Sequence, residues 1–207
     1  PREVIKMNKI ISVLFMLVLA GMLVGCGATA RDIGRVSQSR HSDVFSEISG
    51  SGKVPPGFVD LIVRANIKTH AEGYYAFESK GSLHGKSGYP FMVNIDGQAV
   101  TWKVDGVNDV KPKYDKDGKT SRDPEAGEGV LYQLEKTLRL KAGAYKIYFS
   151  LPEEPYLLEA EVTVKDGAQH VMELKPIYRY KTLPTRIKTF LKGISRYEVY
   201  LDGKRIY

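Results

Sequence analysis

Tyr89-Pro90-Phe91-Met92-Val93-Asn94-Ile95-Asp96-Gly97-Gln98-Ala99-Val100-Thr101-Trp102-Lys103-Val104 decides the fold. Strand-like residues run up to Asp96-Gly97 and resume directly after it. Asp-Gly between two such runs supplies the positive φ angles of a two-residue turn, so the stretch predicts an antiparallel hairpin. The same grammar continues downstream. Tyr132 to Leu140 alternates, with Tyr132, Leu134, Leu138 and Leu140 pointing one way. Ala142-Gly143 turns, Tyr145 to Phe149 forms the next strand, and Pro152 to Pro155 breaks it. Leu158 to Val164 alternates up to Asp166-Gly167, and Gln169 to Leu174 alternates again until Pro176. Tyr197 to Leu201 turns at Asp202-Gly203 into Arg205-Ile206-Tyr207.

Upstream, Phe58 to Ile67 is rich in β-branched residues, as a strand requires. Thr182 to Gly193 is ambiguous and has room for one helical turn. Asp105 to Gly129 is polar and reads as an insertion longer than compact domains usually carry. No long segment of period 3.6 follows residue 26. Short strands joined by Asp-Gly and Ala-Gly turns predict an all-β fold, an antiparallel β-sandwich over residues 58–207. The 13 tyrosines suit a pleated, half-buried surface.

The first 25 residues have a different character. Lys9 is followed by an uncharged run that lasts until Arg31, and Ile10 to Val24 is its apolar part. Leu23-Val24-Gly25-Cys26 closes it, with small residues at Gly25, Gly27, Ala28 and Ala30. This resembles a bacterial lipoprotein signal with its lipobox, which implies cleavage before Cys26 and acylation of that cysteine. Three acyl chains on the cysteine are what the resemblance implies. Gly27 stands where an inner-membrane retention signal would place Asp, which points to the outer membrane in a Gram-negative cell. An uncleaved anchor is the competing reading, since an uncharged run of this length can span a bilayer as a helix; a plain secretory signal is another. Met7-Asn8-Lys9 reads as the more natural start than Pro1 to Lys6. Residues 1–25 are thus expected to be a lipoprotein signal peptide, a signal helix ahead of the mature chain. Residues 26–57, rich in Ser, Gly, Arg and Asp and ending in Pro55-Pro56-Gly57, are expected to be a flexible tether, with a short helix over Ser42 to Ile48 as an option.

Cleavage leaves 182 of the 207 residues and takes three basic and one acidic residue from totals of 31 and 24, for a net charge of about +5. That length suits one domain with a real core. Cys26 is the only cysteine. Once it is acylated there is no disulfide to form, and zinc sites built on thiolates are excluded.

Leu138-Arg139-Leu140-Lys141-Ala142-Gly143-Ala144-Tyr145-Lys146-Ile147 meets a Gly turn and continues from an aromatic. Val93-Asn94-Ile95-Asp96-Gly97-Gln98 and Val199-Tyr200-Leu201-Asp202-Gly203-Lys204 share one hairpin pattern. These residues resemble the transthyretin-like (prealbumin-like) and PEGA-type sandwich modules of bacterial envelope proteins, over roughly residues 88–207. The whole also resembles Gram-negative lipoproteins that carry such a domain. The resemblance implies a non-catalytic module; the insertion at 105–129 departs from it.

Few residues carry chemistry. His41, His70, His84 and His170 stand at no spacing that makes a local pair, so no metal site and no catalytic residue is expected, and no cofactor. Only convergence of His70, His84 or His170 on acidic residues in a cleft would revive an envelope hydrolase. Asp115-Lys116-Asp117-Gly118 lacks the ligand spacing of a calcium loop. Glu153-Glu154 are adjacent carboxylates between prolines, and strand residues one apart face opposite sides. There is no Gly-x-Ser-x-Gly, no free thiol and no phosphate-cradling loop. Arg179, Lys181, Arg186, Lys188, Lys192 and Arg196 interleave with Tyr178, Tyr180, Phe190 and Tyr197, with no acid from Lys175 to Tyr197. Two readings stand: a surface for lipid A, anionic lipid or polysaccharide, or a solvated edge whose lysines block edge pairing. Nucleic acid is not an expected partner outside the cytoplasm. The expected function is a membrane-anchored, non-enzymatic interaction or structural module of the cell envelope, binding the membrane through its lipid and an envelope protein through its surface. The alternative is a carbohydrate or peptidoglycan binder that stacks sugars on Tyr74, Tyr89 and Trp102.

Overall fold

In the computed structural model the described residues are 30–50, 52–74, 78–109, 116–118, 128–154, 156–167, 169–178 and 194–207. They form a short helix, α1 (Ala30–Val36), and eleven strands: β1 (Phe45–Ile48), β2 (Phe58–Thr69), β3 (Tyr89–Ile95), β4 (Gln98–Val104), β5 (Val107–Asp109), β6 (Gly129–Lys141), β7 (Gly143–Leu151), β8 (Tyr156–Val164), β9 (Gln169–Tyr178), β10 (Ile194–Leu201) and β11 (Lys204–Arg205). One sheet runs β1-β6-β2-β9-β10-β11, with β5 also on β6; the other runs β4-β3-β7-β8. The two pack face to face around one core that includes Leu61, Val63, Phe91, Val93, Phe149, Leu174 and Val199. The fold is the all-β sandwich that the alternation predicts.

Local chemistry explains the turns. Asp96 and Gly97 have φ of 43° and 92°, Asp202 and Gly203 of 51° and 78°. Both pairs close two-residue hairpins, Ile95 opposite Gln98 and Leu201 opposite Lys204. Asn94 Oδ1 accepts from Gly97 N at 2.8 Å and Asp96 Oδ1 from Lys146 N at 2.8 Å, which holds the first turn from both sides. β8 buries Leu158, Ala160, Val162 and Val164 and turns Glu159, Glu161 and Thr163 outward.

The Ala142-Gly143 and Asp166-Gly167 turns do something other than make hairpins. β6 and β7 lie in different sheets, as do β8 and β9, so each turn carries the chain across the sandwich. β9 consequently starts at the same end as β2 and pairs with it in parallel, Asp60 opposite Gln169 through Ala65 opposite Leu174. Every other described pairing is antiparallel.

The expected tether is a correction. Residues 30–48 belong to the domain, and Ser42 to Ile48 contributes a strand rather than a helix. α1 lies over the outer face of β3, where the buried Val36 carbonyl accepts from Asn94 Nδ2 at 2.6 Å. All seven residues of β3 are buried rather than every second one, and the end of α1 contributes to that cover at Asn94. Ser39 Oγ donates to Ala99 O and accepts from Ala99 N, along the edge strand β4. Gln98 then clamps β1: its Oε1 accepts from Val44 N and Phe45 N, and its Nε2 donates to Phe45 O. Part of the 105–129 insertion is likewise structured, since β5 pairs with β6.

Topology gives the sandwich two unlike ends. The Asp96-Gly97, Ala142-Gly143, Asp166-Gly167 and Asp202-Gly203 turns share one end. The opposite end holds residues 70–74 and 78–88, the β7–β8 turn at Pro152–Glu154, and the residues where β5 and β6 meet. Among the described residues no helix is long and apolar enough to cross a membrane; the uncharged run before Cys26 lies outside them.

Candidate metal centre

The long-loop end gathers two histidines and two carboxylates from four places in the chain. His70 directly follows β2. Glu78 and His84 come from the connection to β3, and Glu154 from the turn after β7. His70 Nε2, Glu78 Oε1 and His84 Nδ1 form a triangle with all three sides 3.1 Å. His84 Nε2 lies 2.6 Å from Glu154 Oε1, which also accepts from the Tyr89 hydroxyl at 3.2 Å. His70 Nδ1 lies 2.9 Å from the Ala71 carbonyl.

These partners fix the protons. A carbonyl oxygen only accepts, so His70 Nδ1 carries hydrogen and a neutral ring leaves Nε2 as a lone pair. The same logic at Glu154 puts hydrogen on His84 Nε2 and leaves Nδ1 as a lone pair. With both rings neutral, three acceptors face one another within 3.1 Å; a protonated His84 ring instead donates from Nδ1. Three lone pairs at that separation repel unless a cation or an added proton lies between them. An ion about 2.0–2.2 Å from each atom would sit about 1 Å above their plane, and an ideal tetrahedron of that size has edges of about 3.3–3.6 Å. Each imidazole then also donates its far N–H, one to a backbone carbonyl and one to a carboxylate, which is how metal-binding histidines are oriented.

The surroundings favour charge at this spot. Burial works against the Glu78 carboxylate, yet the Ser82 hydroxyl at 2.7 Å and the two imidazoles outweigh it and hold its pKa below the usual value. Burial opposes a charged His84 ring as well, but the Glu154 hydrogen bond and the carboxylates of Glu154, Glu78 and Glu153 raise its pKa above the ordinary histidine value. Burial, followed by the Glu154 charge, pushes the Tyr89 hydroxyl far up, so Tyr89 is a neutral donor. His70 is nearly covered, while His84 keeps 24% of its side chain accessible, which leaves a way in from solvent.

The loop is built to hold this geometry. Gly85 has φ of 74°, and a Cβ there would lie 2.1 Å from Glu72 N and 2.6 Å from Ala71 C. Its N–H donates to Thr69 Oγ1 at 3.0 Å, so the segment bearing His84 is pressed against the one bearing His70. Tyr132 OH donates to Lys86 O at 2.7 Å and ties the loop to β6. Gly85→Ala is expected to force the two segments apart and cost more than about 1 kcal/mol. Calorimetric zinc titration should then show at least about tenfold weaker binding, with the far-UV spectrum of the sandwich retained.

Several sequence-predicted residues lie elsewhere. Tyr89 is fully buried and Trp102 nearly so. Trp102 Nε1 donates at 2.8 Å to Oε2 of Glu47, an exposed residue of the edge strand β1. Neither ring has an open face for a sugar, so the three-ring platform is corrected to Tyr74 alone, 49% exposed and 6.1 Å from the His70 ring. His170 is a staple, bonded through Nδ1 to Asp202 Oδ2 at 2.7 Å and accepting from Lys165 N. His41 sits by Gly97 at the opposite end. Arg196, on β10, is half-exposed beside Glu198. Cys26, Arg179, Lys181, Arg186, Lys188 and Lys192 lie outside the described residues, as does Asp115. The cluster was not visible in the sequence because its residues are eight and six apart, farther than any helix or strand repeat brings together. The available signal was two histidines flanking a Ser/Gly-rich connection between strands.

Comparison with known proteins finds no family model, no curated protein and no solved structure that matches this chain.

Proposed function

We propose that the chain is a lipid-anchored envelope protein whose working site is a transition-metal centre, with zinc(II) the ion that it takes. The observation that carries this reading is the meeting of one ligand atom each from His70, Glu78 and His84, each 3.1 Å from the other two. Two imidazoles and one carboxylate suit zinc; thiolate and thioether ligands, which would select copper(I), do not contribute. Export supports the reading, since a compartment exchanging with the medium has metal ions to capture. Acylation at Cys26 holds the centre at the membrane and does not enter the coordination chemistry.

Three protein ligands leave a fourth position for water or an incoming ligand, the arrangement that zinc hydrolases use. Metal capture is the better reading because Glu154, the nearest extra carboxylate, is engaged with His84 and Tyr89. The interaction-module expectation fits beside it, with the sandwich as scaffold. Equilibrium dialysis of the detergent-purified full chain against zinc, followed by metal analysis, tests the proposal. One zinc per chain with Kd of about 1 µM or tighter is expected. Retention of no zinc at tens of micromolar would overturn it.

A further inference from the structure

We infer that the metal centre faces the membrane, because the end of the sandwich that carries it is also the end at which the lipid anchor enters. The inference rests on the acylation of Cys26 proposed above. Two contacts fix the direction of α1. At its start, Ala30, Ile33 and Gly34 line a cavity of about 320 Å³ together with Pro152, Glu153 and Glu154. At its finish, the Val36 carbonyl takes the hydrogen bond from Asn94, two residues before the Asp96-Gly97 turn of the opposite end. The chain therefore arrives beside Glu154, the carboxylate that holds His84, and runs away from it.

Reach decides the orientation. Cys26 and Ala30 are four residues apart, at most about 14 Å of fully extended chain. The 12 residues of β2 alone make the sandwich about 40 Å long. A tether that short holds the metal end nearest the headgroups and leaves the Asp-Gly turn end farther from them. The chain also leaves this end at Tyr178 and re-enters at Ile194, whose Cα atoms are paired. The intervening sequence contains Arg179, Lys181, Arg186, Lys188 and Lys192 and no acid. Anionic headgroups attract basic residues by about 1 kcal/mol each near the surface, and an acyl anchor gains from such a second signal. The centre would thus exchange its ion, or meet its ligand, at the lipid surface rather than in open solution.

Two variants test this. Lys80 is exposed on the loop at the metal end, and Lys204 is exposed beside the Asp202-Gly203 turn. With Cys26 acylated, Lys80→Cys and Lys204→Cys each introduce a single free thiol for a fluorophore. The acylated full-length protein is reconstituted on phosphatidylethanolamine–phosphatidylglycerol vesicles containing headgroup spin-labelled lipid. Quenching at position 80 several-fold stronger than at 204 is expected. Equal quenching, or stronger quenching at 204, would overturn the inference while leaving anchoring intact. Flotation of the same samples checks the anchor: if wild type floats no better than Cys26→Ser, the lipid reading falls and the orientation with it, and the zinc reading stands.

Discussion

Zinc affinity of the His84→Ala protein is expected to be more than about 100-fold below wild type. The substitution deletes one of three ligands and also leaves Glu154 without the ring that it orients, 2.6 Å away. Glu154→Gln separates these effects. It keeps the shape and an acceptor oxygen but removes the charge that holds the His84 ring in its tautomer, so a loss of about 10–100-fold is expected. The expected order is wild type, then Glu154→Gln, then His84→Ala. His41→Ala, altered at the other end of the sandwich, should bind zinc as wild type does. Isothermal titration at one pH and buffer reads all four proteins. A histidine-independent affinity would mean that zinc goes elsewhere.

Phe149→Ala is expected to cost about 3–5 kcal/mol of stability. Phe149 is fully buried on β7, with its ring edge-on to Tyr197 at 4.9 Å and tilted to Phe91 at 6.4 Å. It touches elements of both sheets, so truncation opens a cavity where neither layer can close alone. In a domain of this size, that loss should lower Tm by roughly 10–15 °C. Calorimetric unfolding of the apo protein measures it. The same experiment on Glu161→Ala, on the outward face of β8, should give a shift within about 0.5 kcal/mol.

Strand positions were legible because period-2 alternation and Asp-Gly turns are local signals. The Asp96-Gly97 and Asp202-Gly203 hairpins, β6 and β8 all follow from residues within reach of one another in sequence. Alternation shows which side of a strand is apolar, and it is silent about which sheet the strand joins. For that reason the crossings at Ala142-Gly143 and Asp166-Gly167, and the parallel β2–β9 pair, were not visible. Residues 30–48 read as a tether because their apolar residues are sparse. Only the fold supplies their partners: Asn94 for the Val36 carbonyl, and Gln98 for the backbone of Val44 and Phe45. Trp102 and Tyr89 read as surface rings because an aromatic residue in a strand looks the same facing either way. The metal centre was the least legible feature. Its ligands are set by the end of β2, a connection shaped by Gly85, and a turn that arrives from the other sheet.

Anomalous X-ray scattering from zinc-loaded crystals tests the central claim most directly. The account predicts one strong zinc peak bound by His70 Nε2, His84 Nδ1 and Glu78 Oε1, at about 2.0–2.2 Å from each. A peak at any other set of residues, or none at this triangle when zinc is bound in solution, would contradict it.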